Sequence, residues 1–354
     1  MAIHFSQENW AQVKANYAAW WAGTLDRHLM RITVTDAYPA THTPRAPILT
    51  QANAHDFRYS PEELIEALDV QMGQYAFYGD AFPFVSFDRF GPGVLSAFCG
   101  ARLDNSSGTI WFFPDAEREL DQIHVVYNPE NQWVRRIKDI YRAGIRKWGN
   151  MVVLGMPDLG GVLDVAATFR GTENLLLDLY DDPDEVLRLC AEIEVAWYEA
   201  YADFSSILRD AGIGFSYWSS IYSDEPSYIL QCDFAYMISP EMFRKFVMPT
   251  LRRDCKKITN TIYHLDGIGQ LAHLDDLLTI DELNAVQWIY GDGQLSGRHW
   301  MDVYKKIDRA GKRFQMIGDM EDFEAIAPNF QRGIYFNADL TTEQMRAAHI
   351  FCPK

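Results

Sequence analysis

His264 and Asp266 are the two residues of this chain best placed to do chemistry together. They stand two apart in Ile262-Tyr263-His264-Leu265-Asp266-Gly267-Ile268-Gly269, which reads as a β-strand stopping at a Gly-rich turn. Side chains on a strand alternate between faces, so both project from one face, about 7 Å apart along the backbone. A neutral imidazole and a carboxylate aimed into one pocket can share a divalent metal ion or a proton. His264 and Asp266 are therefore expected to act as an acid/base pair, or as metal ligands with Asp339 as the third. Asp158, Asp292, Asp319 and Asp339 also follow predicted strands, and Asp233, after Cys232, lies ahead of the Ser239 helix and is expected to face the same site. Asp319 alone reads better as a helix N-cap. Acids converging on one site repel unless a cation or the hydroxyls of a sugar satisfy them.

The elements that must position these groups are legible as alternating strands and helices. Ser60-Pro61-Glu62-Glu63 carries a hydroxyl at N-cap, proline at N1 and glutamate at N3, the grammar of a helix start. Asp182-Pro183-Asp184-Glu185 repeats it, and apolar residues at helical spacing run on to Gly212. Ser239-Pro240-Glu241 opens a third helix, which Pro249 kinks or divides. Short apolar runs between these predict eight strands: Leu29–Thr35, Phe84–Phe87, Met151–Met156, Ile213–Trp218, Thr261–Leu265, Ala285–Ile289, Phe314–Ile317 and Gly333–Phe336. Such alternation predicts an α/β fold, a single (β/α)8 TIM barrel, whose active site sits at the C-terminal strand ends. Residues 1–28 are expected to form a helical extension (Trp10, Val13, Tyr17, Trp20, Trp21) and 29–354 the barrel. The long gap after the second strand predicts a hairpin over the mouth, Thr109–Phe113 with Ile123–Tyr127.

Composition narrows the function. A net charge of −17 argues against nucleic acid or anionic membrane as partner. No apolar run reaches membrane-spanning length. Five scattered cysteines (Cys99, Cys190, Cys232, Cys255, Cys352) without a C-x-x-C pattern predict a reduced, cytoplasmic protein. Cys232 reads as a small apolar core residue before it reads as a soft ligand. Ten tryptophans and eighteen tyrosines are the unusual counts. Those near strand ends, Trp218, Tyr222, Trp288 and Tyr290, are expected to form stacking walls around a flat or sugar-like ligand, with Asp292 and Asp233 as polar contacts.

Four motifs, in order, carry a family resemblance: Trp21-Ala22-Gly23-Thr24-Leu25-Asp26-Arg27, Phe90-Gly91-Pro92-Gly93-Val94-Leu95, Ile238-Ser239-Pro240-Glu241-Met242-Phe243 through Phe246 and Pro249, and Tyr263-His264-Leu265-Asp266-Gly267. From about residue 20 to 345 the chain resembles the superfamily of uroporphyrinogen decarboxylase, the zinc-dependent corrinoid-protein methyltransferases and cobalamin-independent methionine synthase. The resemblance implies a (β/α)8 barrel with a small-molecule site at its mouth.

Within that superfamily the chain departs from the decarboxylase. The Arg-Gln-Ala-Gly-Arg segment is replaced by Arg31-Ile32-Thr33-Val34-Thr35-Asp36, and the late Gly-His-Gly by Phe336-Asn337-Ala338-Asp339. Asp88 falls where the decarboxylase keeps its pyrrole-binding aspartate, which implies a catalytic role for it unless Arg89 merely pairs with it. A mouth lined by Asp158, Asp266, Asp292 and Asp339 is expected to exclude a polyanion and favour a neutral or cationic ligand. The methyltransferase branch implies a zinc site of His-x-Cys plus a later cysteine. Here these become His264-x-Asp266 and Asn337 or Asp339, a harder set in which manganese, iron or magnesium competes with zinc. The expected function is methyl transfer on a small molecule, to or from a corrinoid carried by a partner protein. The alternatives are a decarboxylase or lyase on a small substrate, and a catalytically inactive binding relative.

Overall fold

Side-chain caps at the helix starts show how closely the local grammar is obeyed in the computed structural model, which describes residues 3–347. Ser60 accepts from the Glu63 amide and Glu63 returns the bond, opening Pro61–Met72. Asp182 caps the 28-residue helix Pro183–Asp210, whose buried stripe runs from Val186 to Leu208. The Ser239 helix is divided in two, Pro240–Phe246 and Met248–Lys257, with Pro249 in the first turn of the second, where a missing N–H costs nothing. Cys352 lies outside the described residues.

Eleven strands are formed among the described residues: β1 Leu29–Val34, β2 Ala76–Gly79, β3 Phe84–Val85, β4 Arg102–Asp104, β5 Trp111–Phe113, β6 Val153–Leu154, β7 Ser227–Gln231, β8 Asn260–Asp266, β9 Ala285–Ile289, β10 Arg313–Met316 and β11 Ile334–Leu340. Seven share one sheet in the order β2-β1-β11-β10-β9-β8-β7, parallel except for β2. β3 and β6 form a separate parallel pair. The result is a mixed α/β fold compatible with a (β/α)8 barrel, although the hydrogen-bonded ladder itself does not close.

Two expectations need correction. Ile213–Trp218 is not a strand: it is held by a single bridge, Phe215 to Ser223, and by the Met156 amide donating to the Ser216 carbonyl. The ladder position is taken by β7, every residue of which is buried. Aromatic residues in the earlier run imitate a strand, but their rings fill the interior instead of one face of a sheet. The hairpin also differs. Trp111–Phe113 pairs back with Arg102–Asp104 through the turn at Gly108, while 123–127 packs on the long helix, where Glu192 accepts from the Val125 amide.

The N-terminal helix Gln7–Ala22 buries Trp10, Val13, Tyr17, Trp20 and Trp21. Trp10 Nε1 donates to the Met151 carbonyl just before β6, and Trp21 Nε1 donates to the Tyr222 carbonyl. The helix therefore covers the N-terminal ends of the strands and leaves their C-terminal ends for the site.

Candidate functional site

Three side chains converge at the C-terminal ends of β7 and β8. Asp233 follows β7, and His264 and Asp266 end β8. Their ligand atoms all lie within 4.8 Å of one another, with His264 Nε2 3.8 Å from Asp266 Oδ2. Gly267 makes the exit turn possible: its φ is +81°, and a Cβ there would stand 2.9 Å from the Tyr236 ring. Asp233 is aimed by Asp164, a half-buried carboxylate that accepts from the amides of Gly161, Asp233 and Phe234.

The other ring nitrogen of His264 is already engaged. Nδ1 lies 2.5 Å from Gln287 Oε1, on the neighbouring strand and in register with it. An amide oxygen only accepts, so this contact is a hydrogen bond when Nδ1 carries the proton, the form that leaves Nε2 to face the two aspartates. The Trp218 ring stands edge-on to the imidazole, centroids 4.8 Å apart.

The site is electrostatically stressed. Burial alone would lower the His264 pKa, but Asp266, Asp233 and Gln287 together raise it above the usual imidazole range. Asp233 is exposed as a residue, yet protein crowding around its carboxyl raises its pKa, with His264 opposing and Asp266 adding to the rise. Asp158 sits below, 8% exposed, its carboxyl pushed up to about 7 by burial, against the pull of the Gly160 amide. Asp164 is likewise pushed up to about 7, by burial first and Asp233 second.

A cleft of about 540 Å³ opens beside Asp233, between the Trp111–Phe113 strand and the loop carrying Phe234 and Met237. A second cavity of about 230 Å³ lies on the far side of Trp218. It holds Asp88, whose Oδ1 is 3.4 Å from Arg89 Nε, and Asp339, which pairs with buried Arg31 at 3.0 Å. Two corrections follow. Asp339 is committed to Arg31 on β1 and is not grouped with His264 and Asp266; Asp233 takes that place. Nor are acids the only charges at the mouth, since Arg31 and Arg89 line this second cavity.

The aromatic residues divide. Trp218 reaches the site. Trp288 does not: one residue beyond Gln287 on β9, it faces the opposite side, fully buried against Trp300. Tyr222 packs with Trp10, Tyr17 and Phe82 beneath the N-terminal helix, and its hydroxyl donates to Asp224. Tyr290 turns toward Gly297 and Asp322. Asp292 accepts from the Gly293 amide in an exposed turn. Asp319 is an N-cap, accepting from the Asp322 amide. Cys232 is buried, and its thiol is held well above the usual range by burial.

Sequence reasoning missed Gln231, Gln287 and Gln315, each buried within its strand beside the site. A signal was present: one glutamine interrupting an otherwise apolar run, as in Val286-Gln287-Trp288 and Phe314-Gln315-Met316.

No family model matches the chain, and no curated protein matches it. Among solved structures it is similar to a methyltransferase from Methanosarcina mazei, with a TM-score of 0.60 at 12% sequence identity, covering 95% of this chain and 97% of that one. At that identity the likeness shows a shared fold.

Proposed function

We propose that the chain is a methyltransferase-type enzyme of the uroporphyrinogen decarboxylase superfamily, acting on a small polar molecule at the mouth of a (β/α)8 barrel. A divalent metal would be held by Asp233, His264 and Asp266. The convergence of these three side chains carries the proposal. The donors fit: two carboxylates and an imidazole nitrogen freed by Gln287 form a hard N/O set that suits manganese, iron or zinc. Such an ion would supply Lewis-acid activation of a heteroatom of the substrate, and a corrinoid on a partner protein would exchange the methyl group. The chain's own residues orient. Gln287 fixes the imidazole, Trp218 walls one side of it, and Asp164 holds the backbone that presents Asp233. The structural likeness to a methyltransferase supports the reaction class.

A second arrangement is favoured by the raised pKa of His264: an imidazolium held by Asp266 and Asp233 would donate a proton from Nε2 without a metal. Metal analysis of purified protein separates the two, because the metal centre requires near-stoichiometric metal that is lost in His264→Ala with Asp266→Ala. The function itself is tested by incubation with methylated donors and a reduced corrinoid. Methyl-corrinoid formation that disappears in His264→Ala supports it. Catalytic decarboxylation of uroporphyrinogen would overturn it.

A further inference from the structure

The interior of a barrel of this kind is ordinarily filled with branched apolar side chains. Here three amides cross it in line with the site histidine. His264, Gln287 and Gln315 are direct cross-strand partners on β8, β9 and β10, so all three project from one face. Gln287 Nε2 donates to Gln315 Oε1 at 2.8 Å, and Gln315 Nε2 donates to Asn337 Oδ1 on β11 at 2.8 Å. Gln287 and Gln315 are each 1% exposed. Burying amides costs stability relative to Val or Leu, and each must be fully partnered to limit that cost. Filling space does not explain them.

The direction of the chain has an anchor. Gln315 Nε2 also lies 3.4 Å from the Ser219 carbonyl. A backbone carbonyl can only accept, so it holds the NH₂ end of Gln315 toward itself and turns Oε1 toward Gln287. Gln287 must then present its own NH₂ to Gln315, which leaves its Oε1 for His264 Nδ1. Ser219 is held in turn by an unusual stretch of backbone. Ser220 is the one non-glycine residue with positive φ among the described residues, at +56°, and Tyr335 Oη donates to its carbonyl at 2.8 Å. The segment around 213–220, which the ladder leaves out, thus bears on the histidine twice: through the Trp218 ring and through the Ser219 carbonyl.

We propose that Gln287, Gln315 and the Ser219 carbonyl form a polarised amide relay that fixes His264 as the Nδ1–H tautomer and keeps Nε2 directed at Asp233 and Asp266. Gln287 and Gln315 are positioning residues. The relay rests on the proposed role of His264, yet it can be read without metal or substrate. Neutral histidine otherwise distributes its proton between the two nitrogens according to their partners. A hydrogen-bonded outer partner of a metal-binding histidine typically contributes about 10–100-fold in metal affinity.

The test is long-range ¹H–¹⁵N correlation of histidine side chains in metal-free protein across a pH series, read at a pH above the observed His264 transition, where the imidazole is neutral. The His264 signals are identified by their loss in His264→Ala. Wild type is expected to show Nδ1–H. Gln287→Leu is expected to shift His264 toward Nε2–H and to weaken manganese binding about 10–100-fold. Gln287→Glu, which keeps an acceptor against Nδ1, is expected to restore the wild-type tautomer. Gln315→Leu, which does not touch the imidazole, is expected to give a mixture. An Nε2–H tautomer in wild type, or an unchanged tautomer in folded Gln287→Leu and Gln315→Leu, overturns the relay. Absence of manganese binding by wild type counts only against the metal centre, because the tautomer is measured without it.

Discussion

Asp233 and Asp266 press two carboxylates together, and removing one charge asks whether the pair exists to hold a cation. Their ligand atoms are no more than 4.8 Å apart. Two like charges at that separation repel by about 0.9 kcal/mol in a water-like medium and about 3.5 kcal/mol at the effective dielectric of a protein surface. Asp233 is exposed and the Asp266 side chain is 41% exposed, so screening places the effect near the lower limit, about 1 kcal/mol. At high pH the imidazole is neutral and no longer offsets that repulsion. Asp233→Asn should then stabilise metal-free protein by about 1 kcal/mol, roughly 1–2 °C in Tm for a chain of this size. Below the raised pKa of His264 the imidazolium attracts both carboxylates, so the gain should shrink. Added manganese or zinc should reverse the order, since wild type gains stability from binding and the variant gains less. Thermal unfolding in EDTA and in excess metal, at one pH below and one above the observed His264 transition, measures all four states. A variant destabilised in EDTA at the higher pH, or one that gains as much from metal as wild type, would refute the proposed cation site.

The other expectations concern separate parts of the molecule. Asp339→Asn should leave metal content unchanged by elemental analysis, because Asp339 is committed to Arg31. Trp288→Ala should cost about 3–5 kcal/mol in denaturant unfolding through the cavity it leaves, whereas Trp218→Ala should cost less stability and more ligand affinity. Asp254 is pushed up to about 7, chiefly by burial, so the folded state retains its proton more tightly than the unfolded chain. The stability it contributes is present below the ordinary carboxylate range and is lost as pH rises toward 7. Asp254→Asn should flatten that decline in a Tm-against-pH series, while an unchanged slope would count against it.

Much of the frame was legible in the chain because it is written in local chemistry. Capping residues, prolines and glycines announce helix ends through backbone groups a few residues away, and Ser60, Asp182 and Ser239 all act as caps. Strand parity alone put His264 and Asp266 on one face of β8. The same parity, applied to Trp288 once Gln287 is known to face inward, removes that ring from the site. Without the fold, nothing in Val286-Gln287-Trp288 says which of the two looks inward.

The sequence by itself determined the alternation of strands and helices, the strand end bearing His264 and Asp266, and the scarcity of positive charge. Only the tertiary structure decided that Ser227–Gln231, and not Ile213–Trp218, joins the sheet, that Asp233 replaces Asp339 beside the histidine, and that a row of amides runs behind it. The physical reason is range. Capping and side-chain alternation act over a few residues, whereas ladder position, charge pairing such as Arg31 with Asp339, and the contact between Gln287 and His264 join residues distant in the chain, so which partners meet depends on the packing of every element between them.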